Sequence, residues 1–388
     1  MKFLDKTSEL KEEVVRLRRW LHQHPEPGFE EVETSKFIKD YLKEHGIEFR
    51  SSYKTAVIAE IDTKRQGQTI ALRADIDALP VKEENDVPYK SQNEGFMHAC
   101  GHDSHTAILL ATARFIKKNI DQYNGKIRFL FQPAEESPPG GAAPMIEDGA
   151  LEGVDCVYGL HNNPEIDPGA ISVIDGPMMA AADRFEIKII GEGGHGASPH
   201  QTIDPVVIAS QVINNLQVIV SRNLNPQDAA VVTIGVIKGG FRFNVIAPEV
   251  SLDGTVRTLL PEIREKVKDR IEEIVANTVK AHGASYEMKY TYGYPPLINV
   301  KENMDIVRAV GKEVLGEENV IELPYASMGG EDFSYFVTEK PGAFFRLGIR
   351  QKDKKQYPLH NAKFDMDESG LEYGIKMFAG ICYKHNGR

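Results

Sequence analysis

Gly125-Lys126-Ile127-Arg128-Phe129-Leu130-Phe131-Gln132-Pro133-Ala134-Glu135-Glu136 is the stretch on which the fold turns. A short apolar run after a glycine reads as a buried strand. Pro133 ends it, and two adjacent carboxylates follow at once. The same order recurs along the chain. Residues 69–73 read as a strand and lead into Ala74-Asp75-Ile76-Asp77-Ala78-Leu79-Pro80. Cys156-Val157-Tyr158-Gly159-Leu160 reads as a strand ending at His161. Residues 342–348 form another apolar run, upstream of Tyr357-Pro358-Leu359-His360-Asn361. Chemistry-bearing residues thus follow the C-terminal ends of strands, the edge at which open α/β sheets build their sites.

Helices are expected between these strands. Residues 6–23 carry leucine and valine at helical spacing, closed by His24-Pro25-Glu26-Pro27-Gly28; a second helix is expected over 31–45 and a third over 104–119. Near 183 the pattern changes. Phe185-Glu186-Ile187-Lys188-Ile189 alternates with period two. A helix over 204–221, strands at 230–238 and 249–258, a charged helix at 261–282 and a strand at 284–292 follow. This β-α-β-β-α-β order is that of a ferredoxin-like α+β domain. Residues 183–295 are therefore expected to form an insert within a discontinuous α/β domain made of 1–182 and 296–388. No internal repeat or low-complexity segment interrupts this plan.

The composition bounds the function. The 388 residues are 41% hydrophobic and 27% charged, as in a globular protein, and two domains are the default at this length. A net charge of -11 argues against nucleic acid or an anionic membrane as the main partner. Met1-Lys2-Phe3-Leu4-Asp5-Lys6 lacks the apolar core of a secretory signal, and no run is long enough to span a bilayer. The three cysteines, Cys100, Cys156 and Cys382, do not make a disulfide framework, so a reducing cytoplasm is expected.

Working outward from Glu135-Glu136, the next informative stretch is Met97-His98-Ala99-Cys100-Gly101-His102-Asp103. Cys100 and His102 offer a soft thiolate and an imidazole, donors suited to Zn, Co, Ni or Mn. A helix start just after them stabilises a thiolate. A lone Glu-Glu pair is usually two solvated residues. At a strand end, one carboxylate can hold metal while the other serves as general base. His161 and His360 taken singly are ordinary histidines. With Cys100, His102 and Glu136 they make five candidate ligands, enough for two ions if one ligand bridges.

These residues resemble an M20 metallopeptidase-type amidohydrolase of the aminoacylase, hippurate hydrolase, auxin-conjugate hydrolase and N-acetyldiaminopimelate deacetylase branch. The resemblance spans essentially the whole chain. It rests on His22-Gln23-His24-Pro25-Glu26-Pro27-Gly28, Arg73 to Pro80, His98 to Asp103 and Phe131 to Glu136. Gly193-Gly194-His195-Gly196-Ala197, Asn244-Val245-Ile246-Ala247-Pro248 and Gly330-Glu331-Asp332-Phe333 extend it. It implies a dimetal-peptidase-like catalytic domain carrying the ferredoxin-like insert. It implies Cys100, His102, Glu136, His161 and His360 as ligands of one or two divalent ions (Zn, Mn, Co or Ni), with Glu135 as the general base.

Aligned on Pro80, Asp77 falls where related dimetal peptidases orient a metal-binding histidine. Asp75 then falls where those relatives carry that histidine, a role expected here of His102. The resemblance further implies His195 as an oxyanion donor, and Asn244 and Arg257 as substrate contacts. Met178, Met179 and Phe241 are candidates for an acyl pocket, with core packing the commoner use of such residues. Ser104 stands where the family often has glycine or leucine, and is expected to serve as a helix cap.

The implied reaction is hydrolysis of an N-acyl amino acid to a carboxylic acid and a free amino acid, by a homodimer or homotetramer joined through the insert. N-acetyldiaminopimelate deacetylation and metallo-carboxypeptidase activity are the alternatives within the family. Outside it stand a hydrolase with Cys100 as nucleophile and a binding protein without catalysis.

Overall fold

A computed structural model describes residues 1–388. The run around Phe129 forms the strand Lys126–Gln132, in which Ile127, Phe129 and Phe131 are fully buried. It pairs in parallel with Thr69–Asp75, placing Asp75 beside Gln132. Cys156–Asn163 and then Gly342–Gly348 continue the parallel series. The eight-stranded sheet is completed by Val57–Asp62 and Glu48–Ser51 on one side, and by Ile171–Val173 and Val320–Glu322 on the other. Central parallel strands need both faces covered, and these are mostly buried along their length, with Arg73, Arg128 and Arg346 set among apolar residues.

The strand at 156 runs past its expected end. His161 lies within it, because Asn162 and Asn163 pair with Leu347 and Gly348 of the neighbouring strand. The first helical segment also differs from its periodic reading. Lys2–Leu10 is a 3-10 helix, and only Lys11–Gln23 is α-helical. Its buried residues Leu4, Thr7 and Leu10 recur every third position, the repeat that a 3-10 helix places on one side. The remaining helices of this layer include Val32–Glu44, the nearly all-buried His102–Lys118 and Gly370–Asn386.

The chain divides into two units. One comprises Met1–Gly176, Ile298–Tyr325 and Asp332–Arg388; the other comprises Pro177–Leu297 and Ala326–Glu331. The second unit holds a four-stranded antiparallel sheet in the order Ala230–Gly239, Glu249–Thr258, Ala181–Ile190, Ser285–Thr291. Alternation along Ala181–Ile190 turns Phe185, Ile187 and Ile189 inward. Helices Pro205–Val218 and Pro261–Ala281 cover that face through Ile208, Val212 and Leu216 and through Val267, Ile271 and Val275. Connectivity and strand order are those of a ferredoxin-like α+β domain. No helix is long and apolar enough to cross a membrane.

Candidate functional site

The donors converge because separate elements end at one sheet edge. Helix His102–Lys118 begins immediately after Gly101, which has φ +86°. A side chain there would be strained in the left-handed region, and its Cβ would meet Asn162 Nδ2 at 2.4 Å. Asn162 Nδ2 donates to Ser104 Oγ at 2.6 Å, and Ser104 Oγ donates to the Gly101 carbonyl at 2.7 Å. Ser104 thus ties the loop to the central strand and does not cap the helix. This knot holds Cys100 and His102 on either side of Gly101. The carboxylate pair sits on the turn after Lys126–Gln132, His161 on Cys156–Asn163 across Thr69–Asp75 from it, and His360 on the long connection after Gly342–Gly348.

Cys100 is the shared vertex. Its Sγ lies 3.3 Å from His161 Nε2 and 3.3 Å from His360 Nε2. His360 Nε2 lies 3.1 Å from Glu136 Oε1. The sets whose donor atoms lie within 4.8 Å of one another include Cys100, His102 and His161; Cys100, Glu136 and His360; and His102, Glu135 and Glu136. The five sequence-derived ligand candidates and Glu135 are therefore together. Glu135 is 7% exposed, dry enough for a proton carrier whose basicity its surroundings can tune.

The donor chemistry fits a divalent cation. Burial, reinforced by Glu136, Glu135 and Asp75, pushes the Cys100 thiol well above its ordinary value, so a thiolate here requires a compensating positive charge. Burial also drives His161 well below the usual imidazole range, with His105 adding to the effect. That favours a neutral ring, the form that ligates metal. His102 Nε2 is buried with no hydrogen-bond partner, while its Nδ1 faces the Asp77 carbonyl at 3.0 Å and Asp77 Oδ1 at 3.3 Å. Burial lowers the His102 pKa, but Asp75 and Asp77 outweigh it and raise the ring to about 10. An orphaned nitrogen amid carboxylates calls for a cation.

Both aspartates touch this histidine. Asp77 orients Nδ1, and its Oδ2 accepts the Glu136 N–H at 3.0 Å. Asp75 Oδ2 lies 3.6 Å from His102 Nε2, and Asp75 Oδ1 lies 2.6 Å from His105 Nδ1. Burial opposes ionisation of Asp75, yet His102, His105 and Arg73 hold it well below the usual carboxylate range.

Sequence reading missed the support beneath these groups. Arg73 contacts Asp75 and Asp332 at 2.8 Å each, and Gln132 Nε2 donates to Asp332 at 2.7 Å, all fully buried. His105 Nε2 accepts the Asn162 N–H at 3.1 Å. Its signal was present: His105 follows His102 by three positions, the spacing that shares a helix face. Asp103, the other neighbour of His102, is buried against Arg18 at 2.8 Å and His22 at 2.7 Å. His98 is a buried neighbour whose pKa falls to about 3 through desolvation.

His195, Asn244 and Arg257 lie in the second unit. Gly194–His195 and Val245–Ile246 form a short ladder, and the Asn244 carbonyl accepts the Gly196 N–H at 2.9 Å. His195 Nδ1 accepts the Ala197 N–H at 3.0 Å, which leaves its proton on Nε2 as a donor. Arg257 stands on Glu249–Thr258 opposite Ala182 and Val231, half-buried, its pKa lowered by desolvation. Met178 is buried at 1% exposure, whereas Phe241 is 75% exposed.

Fold and donor cluster together define a metal-dependent hydrolase with its site at the carboxyl edge of a mixed sheet. The chain belongs to peptidase family M20/M25/M40, whose model matches residues 71–384. It is 45% identical over 365 residues to an N-acetyl-L-cysteine deacetylase of Bacillus subtilis (strain 168), covering 94% of this chain and 86% of that one. It is 48% identical over 295 residues to an N-acyl-L-amino acid amidohydrolase of Geobacillus stearothermophilus, covering 76% and 80%. Among solved structures, Bacillus subtilis YXEP, described as a dinuclear metal binding peptidase from the M20 family, superposes with a TM-score of 0.84. Its identity is 35%, with 97% and 98% of the two chains covered. The architecture is thus that of a dimetal peptidase with a ferredoxin-like insert.

Proposed function

We propose that this chain hydrolyses the amide bond of N-acyl amino acids, with Cys100, His102, Glu136, His161 and His360 holding one or two divalent ions of Zn, Mn, Co or Ni. The observation that carries this reading is the Cys100 vertex, shared between a His102–His161 group and a Glu136–His360 group, with Glu135 beside it. Residues 1–182 and 296–388 act as the catalytic part and 183–295 as the insert.

A bound divalent ion supplies Lewis acidity, polarising the acyl carbonyl and acidifying water. Glu135 takes a proton from the attacking water on its carboxylate and delivers it to the departing nitrogen. Asp77 and Asp75 hold His102 in place. His195 Nε2–H donates to the developing oxyanion. Asn244 and Arg257 receive the substrate carboxylate, the guanidinium in bidentate fashion.

Three free, buried cysteines agree with a cytoplasmic setting. Assembly through the insert, as a homodimer or homotetramer, is supported by Ala230–Gly239. This edge strand is open on its outer side and exposes Val236 and Ile237. A strictly monomeric sedimentation profile would refute it.

The decisive experiment assays N-acetyl, N-benzoyl and indole-acyl amino acids on protein loaded with each metal in turn. EDTA should abolish turnover and metal should restore it. A Cys100-nucleophile enzyme would instead survive EDTA and die on alkylation. Glu135→Gln should keep its metal and lose turnover by at least ~10³-fold; near-wild-type turnover in the loaded variant would sink the base assignment.

A further inference from the structure

The turn that carries Glu135 is held in an unfavourable shape by two buried carboxylates from distant parts of the chain. Ala134, directly before Glu135, has φ +56°. This left-handed conformation is unfavourable for a residue with a Cβ and persists only where the surroundings over-determine it. Here they do. The Ala134 N–H donates to Glu31 Oε1 at 2.9 Å, and the Glu136 N–H donates to Asp77 Oδ2 at 3.0 Å. The two amides flanking Glu135 are thus each gripped by a carboxylate.

Glu31 is itself fixed. It is wholly buried, and Thr55 Oγ1 donates to its Oε2 at 2.6 Å. It sits at the start of helix Val32–Glu44 but makes no side-chain cap to it. The preceding loop lies flat on the turn: a Cβ on Gly28 would meet Ala134 Cβ at 2.9 Å and Ser137 Oγ at 2.8 Å. A fully buried carboxylate beside the charge of Asp77 is costly for stability alone. One of its oxygens accepts the Ala134 N–H, an amide of the turn that sets where the base points.

We propose that Glu31 is a positioning residue for amide hydrolysis: its carboxylate, opposite that of Asp77, locks the Ala134 turn and aims Glu135. This rests on the reading of Glu135 as general base.

The test separates reach from charge. Glu31→Asp keeps the charge but shortens the arm by one methylene, so it no longer reaches the Ala134 N–H. Glu31→Gln keeps the reach without the charge, its amide oxygen still accepting from Ala134. On metal-loaded full-length protein with an N-acetyl amino acid, Glu31→Asp should lower kcat by about 10²-fold with KM within about threefold and metal content unchanged. That is the scale of a misplaced catalytic group. Glu31→Gln should restore kcat to within about tenfold of wild type. The proposal is overturned if Glu31→Asp retains wild-type kcat, if its loss follows loss of metal, or if Glu31→Gln falls as far. Should Glu31→Asp fail to fold, Thr55→Val removes the hydroxyl that fixes the carboxylate; a lower kcat at unchanged metal content supports the proposal, and no change overturns it. Glu135→Gln, measured alongside, reports on the base itself: an active Glu135→Gln removes the underlying reading, whereas an inactive one with an unaffected Glu31 series removes only the clamp.

Discussion

Gly101→Ala should loosen the metal centre without touching a donor atom. The new Cβ would hold a residue at φ +86° and lie 2.4 Å from Asn162 Nδ2. The left-handed conformation costs about 1–2 kcal/mol. Displacing the Asn162 amide removes its bonds to the Gly101 carbonyl at 3.2 Å and to Ser104 Oγ at 2.6 Å. At about 0.5–1.5 kcal/mol each, these add about 1–3 kcal/mol, for a total of about 2–5 kcal/mol. In an Asn162→Ala background the amide is already gone, so the same substitution should cost only the conformational part. The coupling between the two sites is then about 1–3 kcal/mol. Urea unfolding of the metal-free protein measures this. Trp20, the single tryptophan, lies in the larger unit and reports on it alone. Because Cys100 and His102 flank Gly101, metal affinity in a chelator competition should also fall by about 10–100-fold. An unfolding cost below about 1 kcal/mol, or the same cost in both backgrounds, would refute the steric argument.

Two further outcomes follow from the buried charges. Asp332→Ala removes a fully buried partner of Arg73 and the acceptor for Gln132 Nε2. Such a break costs about 3–5 kcal/mol, so an unfolding midpoint equal to wild type would contradict the network. Burial, with the Asp77 charge behind it and against the Thr55 hydroxyl, pushes Glu31 up to about 7. The folded chain therefore binds more protons than the unfolded one between the ordinary carboxyl range and neutrality. The stabilising contribution is complete at low pH and is lost as pH rises through about 7, by up to about 3 kcal/mol. Glu31→Gln lacks this titration. Its stability relative to wild type should climb over that window, and a pH-independent difference would count against the assignment.

Much of the fold was legible because it is written in local periodicity. The apolar run at 127–131, the alternation at 185–189 and the ordered helices between them are short-range signals. They led to the parallel strands and the β-α-β-β-α-β insert seen in the structure. Misreadings came where local cues compete with pairing. Asn162 and Asn163 look like the end of a strand, yet they remain in it because Leu347 and Gly348 supply backbone partners. At the N-terminus, a three-residue repeat of burial was absorbed into a helical pattern that begins only at Lys11.

The residues of the candidate centre announce themselves by type: a thiol, imidazoles and carboxylates after strands are donors wherever they occur. Their supports do not. Glu31 reads as one more acid at a helix start, and its role depends on Ala134, 103 positions away. Asp332 reads as a loop aspartate until Arg73, 259 positions earlier, closes on it. The sequence by itself determined which chemistry this protein carries and the order of the elements that bear it, because donor identity and period are local properties. Only the tertiary structure decided which carboxylates grip the backbone, which hold a histidine and which stand beside the thiol. Those assignments rest on distances of about 3 Å between segments that meet only when the sheet assembles.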